Sequence, residues 1–139
     1  MYNVVSIAGL ARQIAISFKT AATTVVTGAP GSGKTKITAQ ISKNWLRNLG
    51  VDPDKHYFYY NTSTKTVEWA GGIMMPDGKR GCDQMVPSWI KRVPANSVII
   101  FDEFDKLSQR DQLPFLQLLH EKAVDDYQLP ANVHIIVLA

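Results

Sequence analysis

The chain of 139 residues is long enough for one domain with a real core and short for a multi-part enzyme. Hydrophobic residues at 45% and charged residues at 19% exclude a disordered, collagenous or repeat-array chain, and no apolar run nears the ~20 residues that span a bilayer. The net charge of +3 comes from 15 scattered Lys and Arg, so it permits phosphate-bearing partners, nucleic acid among them, without indicating any.

A lone cysteine, Cys82, excludes an internal disulfide and reads as an incidental thiol. With no secretory leader pattern either, the expectation is a cytoplasmic protein with no membrane partner.

In chain order, Ile7, Leu10, Ala11, Ile14 and Phe18 recur at spacings of three and four and predict an amphipathic helix over residues 6–19. The β-branched run "TTVVTG" predicts a short strand. After a glycine-rich turn, Ile37, Ile41, Trp45 and Leu49 predict the buried stripe of a second helix that Gly50 ends. The aromatic run "HYFYYNTST" predicts the next strand. Residues 65–94 lose all periodicity and read as irregular and exposed, around a short helical stretch "VPSWIKRV". "SVIIFDEFD" is an unbroken apolar run closed by acids, the pattern of a buried parallel strand whose carboxyl end faces a site. A helix follows, with Ser108 and Asp111 resembling a capping box, a stripe of Leu113, Leu116, Leu119 and Ala123, and a kink or later start at Pro114. "NVHIIVLA" predicts a fourth strand. Strands alternating with helices imply an α/β fold, a mainly parallel sheet between helical layers, over residues 1–139.

The turn after the first strand reads "GAPGSGKT" and satisfies G-x-x-x-x-G-K-[ST], with the strand before and the helix after that the motif requires. Glycines let backbone N–H groups converge on phosphate oxygens at the positive end of a helix. Gly28, Ala29, Pro30, Gly31, Ser32, Gly33, Lys34 and Thr35 are therefore the expected nucleotide-binding loop. Lys34 adds a point charge for the terminal phosphates and Thr35 a hydroxyl for Mg²⁺. Asp102, at the end of the apolar strand, is the second expected Mg²⁺ holder. Glu103 is the expected catalytic carboxylate that orients and deprotonates water, and Lys34 is counted as catalytic with it for its charge on the terminal phosphates. Asp105 and Lys106 read as decoration of the following turn.

With these residues in place, the sequence resembles an AAA+ ATPase, and more narrowly the MoxR-like and dynein-related branch. The resemblance runs through "VVTGAPGSGKT", "AGGIMMPDG", "VPSWIKRV" and "IIFDEFDKLSQRDQLPFLQLLHEKAVDDYQLPANVHIIVLA". In its terms residues 28–35 match the Walker A loop, and Asp102 with Glu103 match Walker B. It implies a Mg-ATP-driven ring, usually hexameric, with nucleotide between neighbouring copies of the chain and a protein substrate or adaptor that is remodelled. It also implies a polar sensor, an arginine finger, a fifth strand and a helical lid beyond Ala139, so the expectation is an incomplete core whose first strand has an open edge. Residues 69–75 fall where many such rings carry a substrate loop, against the simpler reading of local packing.

Two other readings stand beside hydrolysis. The absence of a visible arginine finger suits a nucleotide-binding assembly module that does not turn over. Phosphate loops also serve small-molecule kinases, although the adjacent Asp102 and Glu103 favour water as acceptor. Adenine selection would fall to the apolar residues 4–10.

Overall fold

The computed structural model describes residues 7–20, 22–29, 31 and 33–139. Residue 6 of the first predicted helix, residues 4–6 of the adenine segment, and Pro30 and Ser32 of the glycine-rich turn lie outside them.

Four strands form one parallel sheet: β1 (Thr24–Val26), β2 (Tyr57–Asn61), β5 (Ser97–Asp102) and β8 (Val133–Leu138), in the spatial order β1-β8-β5-β2. All six residues of β5 and all six of β8 are buried, because each strand has a neighbour on both edges and helices on both faces. Alternation sorts their side chains. Val98, Ile100, Ile136 and Leu138 meet Ile14 and Phe18 of α1 (Ile7–Thr20) and Leu46 of α2 (Lys34–Asn48) on one face. Ile99, Phe101, Ile135 and Val137 meet Phe115 and Leu118 of α6 (Gln109–Glu121) on the other. The architecture is the expected α/β fold of three layers. β1 is an outer strand, and its Val25 is 62% exposed.

Two predicted stripes are rotated. In α2 the fully buried residues are Thr38, Ser42 and Leu46, while Ile41 and Trp45 flank them and Leu49 is exposed. The Thr38 hydroxyl donates to the Lys34 carbonyl at 2.7 Å, so this polar side chain is satisfied within its own helix. Short side chains there allow close approach to the sheet. In α6, Phe115 and Leu118 are buried, Leu113 and Leu116 are exposed, and Ala123 belongs to a short strand, β6 (Ala123–Val124), beyond the helix. Ser108 caps α6 by accepting from the Asp111 amide at 3.2 Å, as expected. The helix nonetheless runs through Pro114, because in its second turn that residue removes only one helical donor.

The segment expected to be irregular is ordered. Between β2 and β5 lie α4 (Val67–Gly71), the antiparallel hairpin β3 (Ile73–Pro76) and β4 (Cys82–Met85), and α5 (Ser88–Lys91). Gly72 makes the hairpin's base possible: its φ is 82° and a Cβ there would stand 1.9 Å from the Met85 carbonyl oxygen. The turn is closed by Asp77, whose carboxylate accepts from the Lys79 and Gly81 amides. Trp69 packs inward, its ring stacked on Trp89 with centroids 4.2 Å apart, whereas Ile73, Met74, Met75 and Met85 are exposed. Cys82 is exposed on the same hairpin. Short α3 (Pro53–His56) precedes β2, and β7 (Tyr127–Gln128) pairs with β6. No described helix is long and apolar enough to cross a membrane.

His134 of β8 is buried against Phe18 and Trp45, and burial, with the Lys122 charge, lowers its pKa from 6.5 to about 4. Its Nε2 donates to Asn132 Oδ1 at 2.9 Å, an orientation fixed by the Asn132 amide donating to Asn96 Oδ1. The folded state holds this ring neutral while the unfolded chain protonates below its ordinary value. Stability is therefore fully present above pH 6.5 and falls as the pH drops, by about 2 kcal/mol at pH 5 and about 3 kcal/mol at pH 4. Denaturant titrations at these pH values, on the protein and on His134→Phe, check this; an equal loss in both assigns it elsewhere.

Candidate functional site

The site forms where the carboxyl ends of the parallel strands meet the amino end of α2, the place where an open α/β sheet leaves a crevice. A cleft of about 490 Å³ is lined there by Gly28, Gly31, Gly33, Lys34, Thr35, Lys36, Asp102, Glu103, Asp105, Lys106 and Ala139. Gly31 and Gly33 have φ of 78° and 83° with open space where a Cβ would sit, so the requirement for glycine there is conformational. Gly33 caps the start of α2, whose first turn carries no acid to offset the positive end of its dipole. One expected donor is already engaged: the Gly28 amide donates to the Ala139 carbonyl at 3.2 Å, tying the loop to the end of β8. Lys34 Nζ donates to the Gly28 carbonyl at 2.8 Å and the Ala29 carbonyl at 3.4 Å, bracing the loop.

Thr35 and Asp102, 67 positions apart in the chain, meet directly: Thr35 Oγ1 donates to Asp102 Oδ2 at 3.1 Å. Asp102 is 7% exposed. Its other oxygen accepts from the Glu103 amide at 2.8 Å, and its backbone carbonyl accepts from Thr62 Oγ1 at 2.8 Å. Tyr59 of β2 adds a donor, its hydroxyl lying 2.5 Å from Asp102 Oδ2; burial first, then this bond, pushes the phenol's pKa well above its ordinary range. The hydroxyl and carboxylate are hard oxygen donors of the kind Mg²⁺ takes, one or two from protein and the rest from phosphate and water. Among the described residues no group of three or more His, Cys, Asp and Glu could hold a metal ion by itself. The donor set thus fits a cation that arrives with phosphate.

Glu103 adopts a left-handed conformation, φ 56° and ψ 34°, as the chain leaves β5 for a 3-10 turn. Its carboxylate accepts from Lys106 Nζ at 2.9 Å and Ser63 Oγ at 3.1 Å. The bond from Lys106 first, then those from Asn61 and Ser63, hold it below the usual carboxylate pKa, so it stays ionised. Lys106 binds Glu103 across one exposed turn, and Asp105 lines the cleft nearby.

The structure brings Lys34, Thr35, Asp102 and Glu103 into one cleft with three of the expected glycines. It adds residues the sequence reading did not single out: Tyr59, Asn61, Thr62 and Ser63. The available signal was period two. Asn61 pairs with Asp102 in the register of β2 against β5, which sets Tyr59 and Asn61 on the same strand face and Ser63 just beyond.

Residues 24–139 match the family AAA, described as ATPase family associated with various cellular activities. No curated protein matches the chain. Among solved structures it is similar to Hsp104 bound to ATPγS and FITC-casein, with a TM-score of 0.63 and 21% identity over 95% of this chain and 24% of that one. It is also similar to the S. cerevisiae Hsp104-ADP complex, at 0.60 and 20%, over 94% and 19% of the two chains. NtrX from Brucella abortus in complex with ATP matches at 0.56 and 15%, over 100% of this chain and 32% of that one. The chain thus spans a third or less of the length of the proteins whose fold it shares.

Proposed function

Because this chain belongs to the AAA family of ATPases, we propose that it binds ATP with Mg²⁺ and hydrolyses it, in an oligomeric ring that remodels a protein partner. The observation that carries the reading is the 3.1 Å contact between Thr35 and Asp102, which joins the phosphate loop to the acid-tipped strand. The MoxR-like and dynein-related branch is the narrower assignment we favour, on the order of "AGGIMMPDG", "VPSWIKRV" and the "DE" strand.

In this reading the glycine-rich loop, with Gly31 and Gly33 at its turns, offers backbone amides to the phosphates, and the amino end of α2 faces their charge. Lys34 exchanges its loop carbonyls for phosphate oxygens. Thr35 and Asp102 would hold Mg²⁺, which would supply neutralisation of the terminal phosphates. Glu103 orients the attacking water and takes its proton, once its carboxylate leaves Lys106 and Ser63. The engagement of both Glu103 oxygens supports a second reading, in which the chain holds nucleotide as an assembly module without turnover. Single-turnover measurement with radiolabelled ATP separates the two.

Lys34→Ala tests the phosphate site. Losing a charge-assisted bond of about 1.5–3 kcal/mol lowers ATP affinity by ~10-fold to ~100-fold in calorimetric titration. Wild-type affinity in the variant would place phosphate elsewhere.

A further inference from the structure

We propose that Tyr59 is a positioning residue for the divalent cation, pinning the Asp102 carboxylate in the one orientation in which the cation meets it; this rests on the reading of Thr35 and Asp102 as the cation's protein oxygens. A carboxylate has about four acceptor positions, two on each oxygen. Thr35 and Tyr59 fill both positions on Asp102 Oδ2, at 3.1 and 2.5 Å, and the Glu103 amide fills one on Oδ1 at 2.8 Å. Donors on both oxygens stop the carboxylate from turning about its terminal bond, and the described residues leave a single acceptor position.

Tyr59 is placed for that contact and little else. Of the consecutive aromatics of β2, Tyr57 packs against the core beside α1 and α2, and Phe58 and Tyr60 against the core on the other face. Tyr59 packs in neither, and 42% of it is exposed. Its ring reaches across from the neighbouring strand to deliver one hydroxyl to a buried carboxylate, at the length of a charge-assisted O–H···O⁻ bond. A phenylalanine keeps the ring and removes only that donor. Thr35 cannot replace it, since its hydroxyl already occupies its own position on Oδ2. Partners that orient a metal-holding side chain typically contribute 10-fold to 100-fold in metal affinity.

The test is Mn²⁺ titration followed by electron paramagnetic resonance, with the non-hydrolysable analogue AMP-PNP, on the full chain and on Tyr59→Phe. The variant is expected to bind Mn²⁺ ~10-fold more weakly, with its analogue affinity in EDTA and its thermal midpoint unchanged. Equal Mn²⁺ affinity in the two proteins overturns the proposal, as does a parallel loss of affinity in EDTA, which would mark Tyr59 as a support of the loop itself. A wild-type chain that binds the analogue but no Mn²⁺ overturns the underlying assignment of Thr35 and Asp102, a result distinct from either.

Discussion

Replacing Glu103 with glutamine is expected to slow ATP turnover by ~10²-fold or more while leaving ATP affinity within about a factor of two. Glutamine has the same shape and keeps an oxygen to accept from Ser63 Oγ, now 3.1 Å from the carboxylate, so the ground-state site is little disturbed. What it lacks is the negative charge and the ability to take a proton from water. The lost ion pair with Lys106 contributes little to stability, because that lysine lies on the surface and solvent screens it. The measurement is single-turnover hydrolysis beside calorimetric titration, on the protein assembled as it works. Unchanged turnover removes Glu103 from the chemistry, and an equal loss of binding and turnover makes it a structural residue.

Replacing Phe101 with alanine is expected to destabilise the fold by about 3–5 kcal/mol, the usual range for emptying an aromatic site in a core. Phe101 is fully buried, its ring meeting Phe115 edge-on at 5.3 Å between centroids, with Tyr60, Trp69 and Trp89 around it. These neighbours come from β2, α4, α5 and α6, so no single element can move in to fill the gap. Against a typical domain stability of about 5–15 kcal/mol, the loss lowers the thermal midpoint by roughly 10 °C or more. Phe101→Leu should recover most of it. A fall of only a few degrees for alanine would mean that the aromatic cluster collapses around the vacancy.

The sheet and the glycine-rich turn were legible because each rests on local chemistry. β5 and β8 are apolar runs with no other stable home, and the loop needs glycine where φ is positive, as at Gly31 and Gly33. The helix faces were misread for a physical reason. Counting large apolar residues put Leu49 and Leu113 inside, whereas close helix-to-sheet packing in α2 selects Thr38 and Ser42, and α6 turns its bulky Phe115 inward. The hairpin escaped because both its strands are exposed along their whole length, so no buried face exists for an apolar alternation to mark. Period two groups Tyr59 and Asn61 on one face of β2, but that this face meets Asp102 and Glu103 depends on the register of β2 against β5, a long-range property.

The pairing of β5 on both edges, set against a hairpin whose strands pair only with each other, grades the molecule's resistance to local unfolding. Opening β5 means breaking two ladders and both apolar layers together, so the floor beneath Asp102 yields only when the whole domain does. β3 and β4 are exposed along their length, and their opening costs little beyond their own ladder and the bond from Gln84 to the Gly71 carbonyl. The acid that ends β5 and the exposed hairpin thereby fall in separate cooperative units, so that opening the hairpin leaves Asp102 in place.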